Sequence, residues 1–308
     1  QDFSRWGSFI DGSFGYGSKD PTDLEDAFDF DGKEVTVGFD YRFKPSLVAG
    51  AIFGYSDKEI DFDSSLSIVD GGITSQGFSV LVYGMLEGDH AYASLSVGYQ
   101  QLTHDTIRRI TYPSFNPAVE SVDSTARSST DSGSILATAN AGYSFRLGAF
   151  SADPVLDVVY SHTTVDAFTE TSVDNLNPGA GNDPFDMHVG EQSIESLDVA
   201  PSLKLQYVFT PKFGVIIPYF VGRYHFELSD DARRISSRYA DAINDLFGVA
   251  DTDFAVSTDA PDTEYYTLTG GCSVVFPHGL NGFVQYLKVF DFDTYTDAVI
   301  TAGFRYEF

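Results

Sequence analysis

Asp297-Ala298-Val299-Ile300-Thr301-Ala302-Gly303-Phe304-Arg305-Tyr306-Glu307-Phe308 is the stretch whose reading decides the fold. Ala298, Ile300, Ala302, Phe304, Tyr306 and Phe308 make one apolar row, and Asp297, Thr301, Gly303, Arg305 and Glu307 fall on the other side. Strict period two describes a strand whose faces meet different surroundings. A soluble sheet alternates in the same way, so this strand alone leaves a sandwich and a membrane barrel both open. It stops on an aromatic, without the polar tail that blunts a sheet edge.

Composition narrows the choice. The 308 residues are expected to form a single domain, 1–308, since large barrels count as one. No apolar run approaches the length of a membrane-spanning helix, and barrel strands need only about ten alternating residues each. The chain holds 27 Phe and 18 Tyr but one Trp, an aromatic share of 15% that suits interfacial girdles. A lone cysteine, Cys272, rules out an intrachain disulfide scaffold. A net charge of −27 makes nucleic acid a poor partner. The chain opens on Gln1 with no signal peptide, the look of a processed or excised fragment.

Strand-like segments recur between two kinds of connection. The short kind is Lys44-Pro45-Ser46, Glu87-Gly88-Asp89, Leu147-Gly148-Ala149, Thr210-Pro211-Lys212 and Pro277-His278-Gly279, all turn chemistries. The long kind spans roughly 18–31, 61–74, 104–128, 165–192, 228–262 and 290–296. Short and long alternate throughout, which implies about twelve strands in an all-β, antiparallel, up-and-down membrane barrel with short periplasmic turns and long extracellular loops. The other strands repeat the alternation. Val35, Val37, Phe39, Tyr41 and Phe43 oppose Glu34, Thr36, Gly38, Asp40 and Arg42; Leu197, Val199, Leu203, Leu205 and Tyr207 oppose Asp198, Ser202, Lys204 and Gln206.

The long loops are acidic, as in Asp20, Asp23, Glu25, Asp26, Asp29 and Asp31. Without the spacing of a calcium loop they read as solvated surface beside lipopolysaccharide. In the fifth loop Ile235, Tyr239, Ile243 and Phe247 recur every fourth residue, so Ala232–Phe247 is expected to be a short amphipathic helix covering the barrel mouth.

Trp6-Gly7-Ser8-Phe9-Ile10-Asp11-Gly12-Ser13-Phe14-Gly15, an acidic loop, and Val37-Gly38-Phe39-Asp40-Tyr41-Arg42 together resemble the first hairpin of autotransporter (type V secretion) β-domains. Val48 to Ser56, Val165 to Glu170, Pro218 with His225-Phe226-Glu227, and Phe254 to Asp262 continue the resemblance over nearly the whole chain. It implies an outer-membrane barrel that helps export an N-terminal passenger to the cell surface. The final aromatic row, Phe304, Tyr306 and Phe308, resembles the closing signature that the barrel assembly machinery reads. In that family a helix before the first strand threads the pore, and only five residues precede Trp6 here. Two expectations follow: a domain parted from its passenger, or a stand-alone barrel whose acidic loops act as adhesin, receptor or structural partner.

No nucleophile elbow, metal-binding helix or phosphate loop is present, and the six histidines show no metal spacing, so neither enzyme activity, cofactor nor metal is expected. What the alternation puts on the inner side is mixed charge: Glu34, Asp40, Arg42, Lys58, Asp198, Lys204, Arg223, Glu227, Arg305 and Glu307. These are the candidate pore-lining residues, since a charge inside a barrel is tolerated when it meets water or an opposite partner.

Overall fold

The computed structural model describes residues 5–63, 69–116, 118, 121–176, 186–229, 232–239 and 253–308. Twelve long strands close into an antiparallel barrel. They are β1 (Trp6–Lys19), β2 (Phe28–Lys44), β3 (Leu47–Phe62), β4 (Val69–Glu87), β5 (Ala91–Tyr112), β6 (Val122–Tyr143), β8 (Phe150–Val165), β12 (Gln192–Tyr207), β13 (Val215–Glu227), β16 (Glu264–Val275), β17 (Leu280–Phe290) and β18 (Tyr295–Glu307). A three-residue continuation of β6, β7 (Phe145–Leu147), completes its hairpin with β8. Each strand pairs with its sequence neighbours, and β1 meets β18, with Gly7 opposite Glu307 and Lys19 opposite Tyr295. Closure matters because hydrocarbon offers no partner for an unpaired backbone group. Trp6 and Phe308 seal the join, exchanging backbone hydrogen bonds of 3.3 and 3.0 Å.

Turns follow their chemistry. Gly148 takes a positive φ of 63° in the two-residue turn between Leu147 and Phe150, a conformation that costs other residues strain.

The outward face is apolar and carries two aromatic belts. At the turn end Trp6, Tyr41 and Phe43 touch edge to face, with centroids 4.9 Å apart in both contacts. Tyr143–Phe145 and Tyr207–Phe209 continue the belt as tilted pairs at 4.8 and 4.6 Å. Nearer the loops stand Phe14–Tyr16 and Tyr224–Phe226. The ten-residue step from Trp6 to Tyr16 along β1 is about 33 Å of strand, or about 25 Å along the normal at the usual tilt, the height of a lipid-facing band. Val82, Leu95 and Phe304 are each 58–59% exposed, a surface that a membrane makes tolerable. By contrast few apolar residues are buried among the described residues, Val48, Ile110, Ala126 and Ala200 among them.

The loops are more regular than their polarity suggests. β5 and β6 are 22 residues each and run well past the outer belt, so the expected connection 104–128 shrinks to 113–121. The loop after β8 contributes β9 (Phe168–Thr169), β10 (Thr171–Asp174) and β11 (Met187–Val189); the loop after β13 contributes β14 (Arg234–Tyr239) and β15 (Asp253–Ser257). β10 extends the barrel wall along β6, and β15, β14, β11 and β9 form a separate four-stranded sheet.

The expected helix at Ala232–Phe247 is therefore wrong over its first half: Arg234–Tyr239 is a strand, with Ile235 opposite Val256 and Ser237 opposite Phe254. Residues 240–247 lie outside the described residues. The error has a simple cause. A repeat of four suits a helix, but four is also a multiple of two, so Ile235 and Tyr239 share one face of a strand equally well. Tyr239 packs on Phe254 with centroids 5.6 Å apart.

Candidate functional site: the inner face of the barrel

All ten expected pore-lining residues fall on the face opposite the exposed apolar rows, and they gather at different heights.

Four residues form a clasp at the turn end. Arg305 holds Asp40 through both Nη atoms, Nη2 at 2.8 Å from Oδ1, and its Nε donates to Glu307 at 3.2 Å. Asp40 is buried and also accepts from the Tyr83 hydroxyl at 3.0 Å. The pair passes over β1 at Gly7, where any Cβ would strike Asp40 and the guanidinium. Asp40 lies opposite Gly7 on one side and Glu307 on the other, with Arg305 two residues before Glu307 and opposite Phe9, so a missing side chain on β1 lets β2 and β18 join hands. Arg42 stays outside the clasp and donates to the carbonyl of Pro45 in its own turn, at 3.2 Å.

Midway up, Arg223 Nε lies 3.4 Å from Asp157, which also accepts from Ser202 at 3.0 Å. Lys204 sits opposite Asp153 with its ammonium 5.4 Å from the Tyr219 ring centre. Lys58 covers the Phe30 ring at 4.4 Å. Glu34 lies between Ser13 and Ser56 on the flanking strands.

Near the loops Asp198 meets His225 Nδ1 at 2.9 Å, and His225 Nε2 is 3.0 Å from Thr267. With Nδ1 donating to the carboxylate, Nε2 accepts from the hydroxyl. The imidazole stacks on Tyr265 at 4.4 Å and 4°. Glu227 accepts from the Ser196 hydroxyl and from the Leu197 amide at 2.8 Å.

The inner wall also holds residues that sequence reading passed over. Asp11 accepts from Thr36 at 2.6 Å, and Asp153 and Asp157 follow the same two-residue rule as the residues identified. The parity signal was available for all three. His104 bridges Ser75 at 2.7 Å and Ser132 at 2.8 Å, tying β4, β5 and β6 together. Both ring nitrogens are taken up by hydroxyls, which makes the imidazole a brace between strands.

A further pattern runs round this face. Phe9, Phe30, Tyr83, Tyr92, Tyr219 and Phe283 each sit directly opposite a glycine: 38, 17, 50, 142, 271 and 303 in turn. A Cβ on Gly142 or Gly271 would come within 2.5 Å of the Tyr92 or Tyr219 ring. The rings thus lie down along the wall over their partners. Tyr219 reaches across Gly271 to Gln285 at 2.9 Å, as Tyr83 reaches across Gly50 to Asp40.

At the loop end the buried ammonium of Lys19 is 3.2 Å from both Glu25 and Asp259, and Thr22 donates to Asp259 at 2.7 Å, pinning the first loop to the fifth. Arg108 clamps the buried Glu170 in the fourth loop through two hydrogen bonds. The Thr22 hydroxyl and, less strongly, Lys19 hold the Asp259 carboxyl below its ordinary range. A depressed folded value contributes stability above the ordinary Asp pKa and loses it as pH falls through the folded one. Limited proteolysis of the first and fifth loops is therefore expected to speed up once pH drops below the usual carboxylate range. Asp259→Asn should flatten that dependence, and cleavage indifferent to pH would count against the latch.

Comparison with known proteins follows the same lines. The family model described as autotransporter β-domain matches residues 8–287. The chain is similar in structure to the translocator domain of autotransporter NalP from Neisseria meningitidis, at 13% identity and a TM-score of 0.71, over 100% of this chain and 90% of that one. It is also similar to the β-domain of the Bordetella autotransporter BrkA (14% identity, TM-score 0.60, 98% and 99% covered). The transport unit of AIDA-I from Escherichia coli gives 12% identity and a TM-score of 0.63, with 100% and 92% covered. At these identities the likeness is one of fold. No curated protein matches the chain in sequence.

Proposed function

The chain belongs to the autotransporter β-domain family, and from that premise we propose that it anchors an N-terminal passenger in the outer membrane and helps carry it to the cell surface through a polar lumen. Its place in the bacterial outer membrane comes with the family and the fold. The observation that carries the rest is the contrast between the two faces. Unlike charges meet along the inner wall at Arg305–Asp40 and Arg223–Asp157, and the Asp198 carboxylate is met by the His225 imidazole, while the outer face shows Val, Leu, Phe and Tyr. Paired charges leave a wall that is wettable yet grips no one charge sign strongly, which suits an extended chain of arbitrary sequence. The ten residues Glu34, Asp40, Arg42, Lys58, Asp198, Lys204, Arg223, Glu227, Arg305 and Glu307 are the wall we assign to that passage. Phe304 and Tyr306, with Phe308, are the row we assign to recognition by the assembly machinery, outward facing and about half exposed.

The decisive experiment fuses a folded-state-neutral reporter peptide ahead of the barrel and asks whether external protease reaches it in intact cells. Surface cleavage with a heat-modifiable barrel is the expected result; a reporter retained in the periplasm beside a folded barrel would overturn the reading. The second reading, a surface protein acting through its loops, draws on the separate sheet of β9, β11, β14 and β15, which gives the loop end a built platform. Binding to cells or to lipopolysaccharide that survives without export would favour it.

A further inference from the structure

Five of the six rings that lie over glycines stand close to the turn-side ends of their strands. Phe9 is three residues into β1, Tyr92 one into β5, Tyr219 four into β13 and Phe283 three into β17, while Tyr83 is four short of the end of β4. They occupy pairings spread over both sides of the β1–β18 join. We propose that these rings form a collar at the periplasmic mouth of the lumen, and that the partner glycines exist to lay them flat and hold that mouth wide enough for an extended, unfolded polypeptide.

The argument rests on space. Twelve strands enclose a bore only moderately wider than the eight-strand case in which side chains fill the interior, so the attitude of each large side chain sets what is left. A tyrosine standing off the wall projects its full length into the lumen; one lying along the wall contributes only its thickness. Lying flat requires an absent neighbour, and in each pair the register supplies glycine as the direct partner. Two of the rings are tied down at the far end as well, Tyr219 to Gln285 and Tyr83 to Asp40. Flat rings also present apolar faces at the mouth, surfaces on which backbone of any sequence can slide without a specific bond. The collar deepens the passage proposed above and rests on it.

Purified barrel in planar bilayers gives the test. Gly271→Val should tip Tyr219 inward and lower single-channel conductance about twofold in so narrow a bore. Adding Tyr219→Ala to Gly271→Val should restore it. Gly142→Ala with and without Tyr92→Ala repeats the experiment at a second pair, with a smaller added group should Gly271→Val fail to fold. Tyr219→Ala alone, which overpacks nothing, should leave conductance equal or higher. Unchanged conductance in a folded glycine variant, failure of the tyrosine removal to restore it, or a wild-type barrel that does not conduct would each overturn the collar. Export of the fused reporter is read separately. Normal export with insensitive conductance sinks the collar and leaves the passage standing. Absent export with the conductance pattern intact sinks the passage while the glycines still set the bore.

Discussion

Arg305→Met is expected to destabilise the barrel by about 3 kcal/mol or more, because it leaves Asp40 buried without its cation. The carboxylate is 3% exposed and its other partner is the Tyr83 hydroxyl, which supplies no charge. Two features set the size of the effect. Guanidinium and carboxylate meet in a forked pair, the geometry that binds most strongly. The pair also ties β2 to β18 across β1, so its loss weakens the join on which closure depends. The double variant Arg305→Met with Asp40→Asn removes both charges and should recover much of the loss. Arg42→Met provides the contrast: among the described residues its guanidinium bonds only the carbonyl of Pro45, and about 1 kcal/mol or less is expected. Urea midpoints of refolded barrel in micelles measure all three. An Arg305→Met midpoint equal to that of Arg42→Met would show that the clasp is decorative.

How much of this was legible beforehand can be judged residue by residue. The period of two in β18 gives the facing of every residue from Asp297 to Glu307, and the structure keeps it, with Phe304 and Tyr306 outward and Arg305 and Glu307 inward. The same rule locates Asp40 on the inner side of β2. It does not reveal that Asp40 and Arg305 touch, because they are 265 positions apart and belong to strands that are not neighbours. Only the register at Gly7 brings them together, and register between the first and last strands is a property of closure, which no local pattern records.

The glycines show the same boundary from the other side. Gly38, Gly142 and Gly271 read as ordinary weak points of strands, where a missing side chain hints at a close approach without naming what approaches. Their ring partners lie on other strands, and pairing them needs the hairpin offsets. Loops were harder still. Turn residues such as Pro45 and Gly148 announce themselves through chemistry, but the polar stretches 104–112 and 234–239 look like solvated loop while their backbones run on as strand. Polar side chains are what a strand carries once it has left the membrane and has water on its outer face, so hydrophilicity stops reporting secondary structure there.

Replacing Val37 or Leu203 by Arg is expected to cost roughly 2–4 kcal/mol, while Arg at Ser96 should cost far less. The three sites are matched in backbone and differ in facing. Val37 lies opposite Ile10 on one side and Phe53 on the other, a row of apolar groups midway between the aromatic belts. Leu203 is 46% exposed on the same outer surface, opposite Pro154 and Gly222. A guanidinium there has no acid within the wall to meet, and must thin the bilayer or stretch along the strand to reach the headgroups, which is where the cost arises. Ser96 points inward and donates to or accepts from Thr138 at 2.7 Å. An arginine at that position gives up one hydroxyl bond but enters a lumen whose wall already carries Asp153 and Asp157, so its charge finds company. Stability in lipid vesicles, titrated with urea for each single variant, separates the cases. Equal losses at Val37, Leu203 and Ser96 would mean that the two faces of the wall meet the same solvent, and the membrane barrel itself would then be the wrong reading of the alternation.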